Sequence, residues 1–203
     1  MRILVEGLDL AGKSTVSNRF IEQAQGSWVL RRNSLVDKNP VYELADELRK
    51  GGGLADEPLG WLYLAAMQAD FAFLECRHAD HDILQDSTIL FRSVAHHIVR
   101  GRAELARQFL ALVPALPHFD YAFVCVADRE TRLRRLAKRR RENLSEEDFL
   151  VRDDYELFRR MEEQIIDMVT THLGGIVIDT SNLETEVRLS MIFDHLPRLE
   201  RQA

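Results

Sequence analysis

Gly7-Leu8-Asp9-Leu10-Ala11-Gly12-Lys13-Ser14 fits the spacing G-x-x-x-x-G-K-[ST]. Two glycines at that interval let a backbone curl until several N–H groups converge on one point. Converging amides suit a phosphate oxygen. Lys13 adds a charge for the β- and γ-phosphates, and the Ser14 hydroxyl can ligate Mg²⁺. The stretch follows the apolar run Ile3-Leu4-Val5 and opens a helical pattern from Lys13 to about Gln25. A helix N-terminus would therefore also face the anion. This strand–turn–helix context separates the motif from a chance glycine-rich turn. It implies a bound nucleotide, with Gly7, Leu10, Ala11, Gly12, Lys13, Ser14 and Thr15 around its phosphates. Asp9 is the unexpected member. A carboxylate in an anion-binding loop repels phosphate and needs a donor of its own. A hydroxyl donor would supply one, and so would the loop backbone, as happens at Asp in turns.

Two further groups can do chemistry. Asp86 ends the strand pattern that starts at Asp82, which places a carboxylate at a strand's carboxyl end. There it can hold Mg²⁺ or its water shell, act as a base, or cap the next helix. Arg132, Arg134, Arg135, Lys138, Arg139, Arg140 and Arg141 crowd cations into a short stretch. Arg135 and Arg139 share a helix face at i, i+4. Guanidinium forks there can clamp a transferring phosphoryl group, or simply lie on a solvated face. The acidic run Glu142-Asn143-Leu144-Ser145-Glu146-Glu147-Asp148 that follows argues against a nucleic-acid patch.

These residues need a scaffold. Strand patterns occur at residues 3–5, 27–31, 82–86, 121–127 and 176–179. Helical patterns lie between them: Pro40 to about Lys50, Glu57 to about Ala79, Arg92 to Leu112, Glu130 to Arg140, Phe149 to His172, and Leu183 to Leu196. Alternating strands and helices imply an α/β fold with a parallel sheet. The chain of 203 residues shows no repeat or linker, so one domain over 1–203 is expected, with a basic lid at about 138–149. The net charge of −6 gives no general pull toward nucleic acid or anionic membrane. No run reaches membrane-span length, and the two cysteines, Cys76 and Cys125, lack metal-ligand spacing, so a reduced cytoplasmic protein is expected. No role is assigned to His96, His97 or either cysteine.

The stretch Val5-Glu6-Gly7-Leu8-Asp9-Leu10-Ala11-Gly12-Lys13-Ser14-Thr15 resembles the start of thymidylate kinases and related nucleoside and nucleotide kinases. Weaker similarity continues through YLAAMQADF, ILQDSTILFRSVAHH, RLRRLAKRRR and VIDTSNLETEV. The resemblance implies the P-loop kinase fold, with strand order 2-3-1-4-5. It implies ATP and Mg²⁺, a small phosphate acceptor, and catalysis by Lys13, Asp9, Arg139 and Arg135, with Ser14 and Asp86 at the metal. Asp9 would face the acceptor. Arg31, Tyr63, Gln68 and Arg92 would bind it, with Tyr63 against its base. The family is often dimeric, and the apolar run WLYLAAM is compatible with a homodimer and equally with a core helix.

Two departures stand out. The family places an arginine after the acid of the third strand, where this chain has Ser87, and another near Gln68. Both grip an acceptor's 5′-phosphate in the family. Their absence leaves three readings open: a monophosphate held by Arg92 and Arg31 or Arg32, an acceptor without phosphate such as a nucleoside or another small alcohol, or a non-catalytic nucleotide-binding relative. Leu10, where the family has a small residue, is expected to narrow the loop mouth. A GTPase switch is disfavoured, since no Asn-Lys-x-Asp occurs and Asp86 lacks the glycine of Asp-x-x-Gly.

Overall fold

The computed structural model describes residues 1–24, 26–75, 81–140 and 144–196. Five strands form one parallel sheet: β1 (Arg2–Glu6), β2 (Trp28–Asn33), β3 (Asp82–Thr88), β4 (Tyr121–Val126) and β5 (Ile176–Asp179). Their order is β2-β3-β1-β4-β5, as the resemblance implied. Strands covered on both faces read as nearly continuous apolar runs, and Ile3, Leu4, Phe123 and Val124 are fully buried. In register, Val5 lies between Asp86 of β3 and Phe123 of β4. The carboxyl ends of the three inner strands therefore reach the same edge, where such sheets bind ligands.

Helices cover the sheet: α1 (Lys13–Gln23), α2 (Pro40–Gly51), α3 (Asp56–Glu75), α4 (Ile89–Val99), α5 (Ala103–Leu110), α6 (Arg129–Leu136), α7 (Glu146–Asp153), α8 (Tyr155–Leu173) and α9 (Thr185–Phe193). One core cluster includes Met67, Phe91, Phe109 and Phe158, from α3, α4, α5 and α8. A second unites Val16 and Phe20 of α1 with Leu189 and Ile192 of α9. Local signals set several ends. Asn39 caps α2 by accepting from Val41 and Tyr42 N–H groups, and Pro40 takes the first turn, where its missing N–H costs nothing.

Two expected helices are each two. The pattern through Leu112 breaks after Val99, where Gly101 takes a φ of 72°, and resumes as α5. The pattern from Phe149 is α7 followed by α8, because Asp154 leaves helical geometry and caps α8 through the Leu157 N–H. Both halves keep apolar periodicity, so the breaks are set by caps and turns that periodicity does not register. The expected end of α3 near Ala79, with Cys76, and the basic residue Arg141 lie outside the described residues. No helix among the described residues is long and apolar enough to cross a membrane.

Candidate active site

The loop after β1 is shaped by what its glycines allow. Gly7 has a φ of 134°, and a Cβ there would meet the Cys125 carbonyl oxygen at 2.3 Å, so only hydrogen fits against β4. Gly12 has a φ of 88° and is the N-cap of α1, which has no side-chain cap and no acid in its first turn. The opening N–H groups of α1 thus keep their donors for an external acceptor. Lys13 is buried at 7% exposure beside them, while Ser14 and Thr15 are exposed. Leu10 does not narrow the mouth. Its side chain turns into the core at 6% exposure, with its backbone in the left-handed region at φ 64°. Burial of an isobutyl group offsets a strain of about 1–2 kcal/mol.

Asp86 sits at the end of β3 with 3% exposure. It does not cap α4, since Thr88 does so through the Phe91 N–H. Its Oδ2 is buried without a hydrogen-bond partner, and the nearest cation, Arg32 Nε, stands 3.7 Å away. A buried carboxylate oxygen left without a donor suits a hydrated cation. Together with the exposed Ser14 hydroxyl, it fits the sparse protein ligation Mg²⁺ uses beside phosphates. No cluster of three or more His, Cys, Asp or Glu able to hold a metal occurs among the described residues. Ser87, where the family has arginine, is buried and left-handed at φ 65°, and its hydroxyl is also unpartnered.

Asp9 is the hub. Its carboxylate accepts from Ser145 Oγ at 2.7 Å, Arg92 Nη2 at 3.3 Å and Arg139 Nη1 at 3.5 Å. Its N–H donates to Glu147 Oε2 at 3.0 Å, and its carbonyl accepts from Arg132. The side chain therefore bonds other elements rather than its own loop. Ser145 and Glu147 belong to the start of α7, so one carboxylate joins the loop after β1, α4 and the segment after the basic run. Burial pushes the Asp9 carboxyl up, but Arg92, Lys13, the Ser145 hydroxyl and Arg139 outweigh it and hold the group well below the usual carboxylate range. Glu147 goes the other way. Burial raises it and Asp9 adds to the rise, against the pull of Arg92 at 3.4 Å.

A cavity of about 270 Å³ opens beside this hub, near the lower end of small-molecule sites. Asp9, Arg92 and Glu147 form the end shared with the loop. Tyr42 and Tyr63 form an aromatic side, their rings 6.1 Å apart, with Arg49 and Asp46 adjoining. Asp56, His96 and His97 close another part of the wall. His96 Nε2 lies 3.1 Å from Asp56, which also pairs with Arg102. Burial and neighbouring His96 press His97 down to about 4, so it is neutral at physiological pH.

Of the residues singled out in the sequence, Asp9, Tyr63 and Arg92 line the cavity together. Three do not take the places expected. Gln68 is on the exposed face of α3, outside the cavity lining. Arg31 is spent on its own loop, with Nη1 on the Leu35 carbonyl at 2.6 Å and Nε near Asp37 at 3.2 Å. Arg135 braces rather than clamps: it donates to the Leu10 carbonyl at 2.7 Å and the Thr180 carbonyl at 2.8 Å, tying the loop to the turn after β5. Arg139 does reach over the loop, anchored by Asp148 at 2.6 Å. Tyr42, Arg49, Ser145 and Glu147 escaped the sequence reading. The one signal was the Ser145-x-x-Asp148 capping box at the start of α7, which positions Glu147 in the first turn.

The fold is that of the P-loop nucleotide kinases. Among solved structures, the chain is similar to thymidylate kinase from Candida albicans, with a TM-score of 0.72 and 15% identity over 100% of this chain and 95% of that one. It is also similar to thymidylate kinase from Ehrlichia chaffeensis, with a TM-score of 0.64 and 17% identity over 97% and 98% of the two chains. Deoxyadenosine kinase from M. mycoides, in a structure with the products dCMP and dCDP bound, gives a TM-score of 0.62 and 17% identity over 97% and 98%. No protein-family model matches the sequence, and no curated protein does.

Proposed function

We propose that the protein is a phosphotransferase that moves the γ-phosphate of ATP to a nucleoside-like acceptor seated in the cavity. The observation that carries this is Asp9, which belongs both to the phosphate loop and to the cavity wall. An acceptor hydroxyl bonded there lies next to the donor phosphates, and phosphoryl transfer needs little beyond such positioning and charge stabilisation. Lys13 and the loop amides hold the β- and γ-phosphates. Ser14 and Asp86 hold Mg²⁺, which when bound neutralises phosphate charge. Arg139 stabilises charge on the transferring group from a lid at about 138–149, of which residues 141–143 lie outside the described residues. Tyr42 and Tyr63 offer a face for a planar base.

The charge balance of the cavity favours an acceptor that arrives without a phosphate. Arg92 is already shared between Asp9 and Glu147, and Arg49 between Asp46 and Tyr63. A 5′-phosphate entering here would meet carboxylates as close as guanidiniums. We further propose a homodimer through α3, whose residues Trp61, Ala65, Gln68 and Ala72 form an exposed stripe at helical spacing. Sedimentation of Trp61→Glu against the parent would test it, and an unchanged mass would remove it.

The deciding assay incubates the protein with ATP, Mg²⁺ and a panel of nucleosides and nucleoside monophosphates. Product formed from nucleosides supports the proposal. Product from monophosphates alone would restore a phosphate clamp, and Arg92→Ala should then raise the KM for the monophosphate far more than that for ATP. Tight ATP binding with transfer to no acceptor would identify a nucleotide-binding protein without this chemistry.

A further inference from the structure

Arg188, on α9, has no part in the acceptor cavity or in the basic run. Its Nη2 donates to the Leu183 carbonyl. Its Nη1 lies 3.4 Å from the position a Cβ on Gly12 would occupy, and Nη1 of Arg135 lies 3.4 Å from the same point. Two guanidiniums therefore converge on the residue that opens the anion-binding end of α1. Among the described residues, no carboxylate bonds either of them, and Arg188 Nε is buried without any acceptor.

Like charges brought together out of water raise each other's energy. Burial comes first and Arg188 second in pushing the Arg135 guanidinium down to about 10, and burial also lowers Arg188. Arg135 has a structural reason to be there, since its three bonds tie Leu10 to Thr180. Arg188 has no comparable reason. One carbonyl serves a side chain with five N–H donors; the Glu184 carboxylate acts on it through charge alone, without a hydrogen bond, and Arg135 and the N-terminus of α1 stand beside it. Donors so placed, with no carboxylate hydrogen-bonded to them among the described residues, match a ligand that brings its own negative charge.

We propose that Arg188 is a phosphate ligand of the donor nucleotide, supplied from helix α9 rather than from the lid, with Arg135 completing the positive wall at Gly12. This rests on the reading that the loop binds the donor. It adds a binding residue that the loop motif does not contain and that lies in the last described helix, outside every stretch whose pattern points to phosphate.

The test uses the full chain and two probes, ADP and inorganic tripolyphosphate, titrated by calorimetry into the parent, Arg188→Met and Arg188→Lys. Arg188→Met should weaken both probes by about tenfold, in equal proportion, because the lost bond is to a charged oxygen. Its log affinity should also fall less steeply with salt. Arg188→Lys keeps the charge but loses the fork, and should weaken both by about threefold. Thermal melts establish that each variant is folded, and the Lys variant carries the test if the Met variant is not. Unchanged tripolyphosphate affinity in the folded variants would overturn the proposal. That holds also if ADP binding falls, since the contact would then be to the base. If the parent itself binds neither probe, the donor-site reading fails, and this proposal with it.

Discussion

Arg92→Met removes the cation that lies between two carboxylates. In the parent, Arg92 stands 3.3 Å from Asp9 and 3.4 Å from Glu147, and their side chains are 32%, 16% and 11% exposed respectively. Taking one partner from a fully buried pair costs about 3–5 kcal/mol, because the other charge is left unpaired. Solvent in the cavity reaches a third of Arg92 and screens part of this, so a loss of about 2–3 kcal/mol at neutral pH is expected. Methionine keeps most of the stem packing, which isolates the charge.

The sign with pH is specific. Asp9 has a depressed pKa, so its pairing stabilises the fold above the unfolded carboxyl value and is lost as pH falls through the lower folded value. Without Arg92, burial is no longer outweighed as strongly at Asp9, and Glu147, already raised, rises further. The variant then binds a proton at a higher pH than the parent does, which relieves the repulsion. Its deficit should therefore shrink by about 1 kcal/mol or more between about pH 7.5 and pH 5. Urea unfolding of both proteins at the two pH values measures this. A deficit below about 0.5 kcal/mol, or one that is the same at both values, would refute the account of Arg92 as the counter-charge of this hub.

Lys13→Ala should lower phosphoryl transfer by about two to three orders of magnitude in a steady-state assay, through lost charge on the β- and γ-phosphates, and near-normal turnover would remove the site assignment. Leu10→Gly relieves a left-handed backbone worth about 1–2 kcal/mol but gives up about 2–3 kcal/mol of burial and adds chain entropy. The variant should melt lower than the parent, and a higher Tm would show that strain outweighs packing there. Cys125 is buried and its thiol is pushed up to about 12 by burial. In a Cys76→Ser background it should react with a thiol reagent only on unfolding, and rapid labelling of the folded protein would contradict its place behind Gly7.

The sequence alone determined the shape of the loop from Gly7 to Ser14, because that shape is set by its own backbone and by the helix that follows it. Gly7 and Gly12 take the positive φ that the spacing called for, α1 opens at Lys13 as read, and local spacing encodes both. Strand positions were legible for the same reason: buried parallel strands are short apolar runs, and β5 begins and ends at Ile176 and Asp179 as read. Helix breaks at Gly101 and Asp154 were not, since caps and turns outvoted an apolar period that continued across them. Only the tertiary structure decided what the arginines do. Arg31, Arg92, Arg135 and Arg139 look equivalent in sequence, yet one serves its own loop, one sits between carboxylates, one ties the loop to the turn after β5, and one reaches over Asp9. A long flexible cation takes the partners that folding brings within reach, and those partners are up to 130 residues away along the chain. The same holds for Asp9. Its sequence position announced that it needed a donor, and the fold supplied Ser145, Arg92 and Arg139, placing the carboxylate where loop and cavity meet.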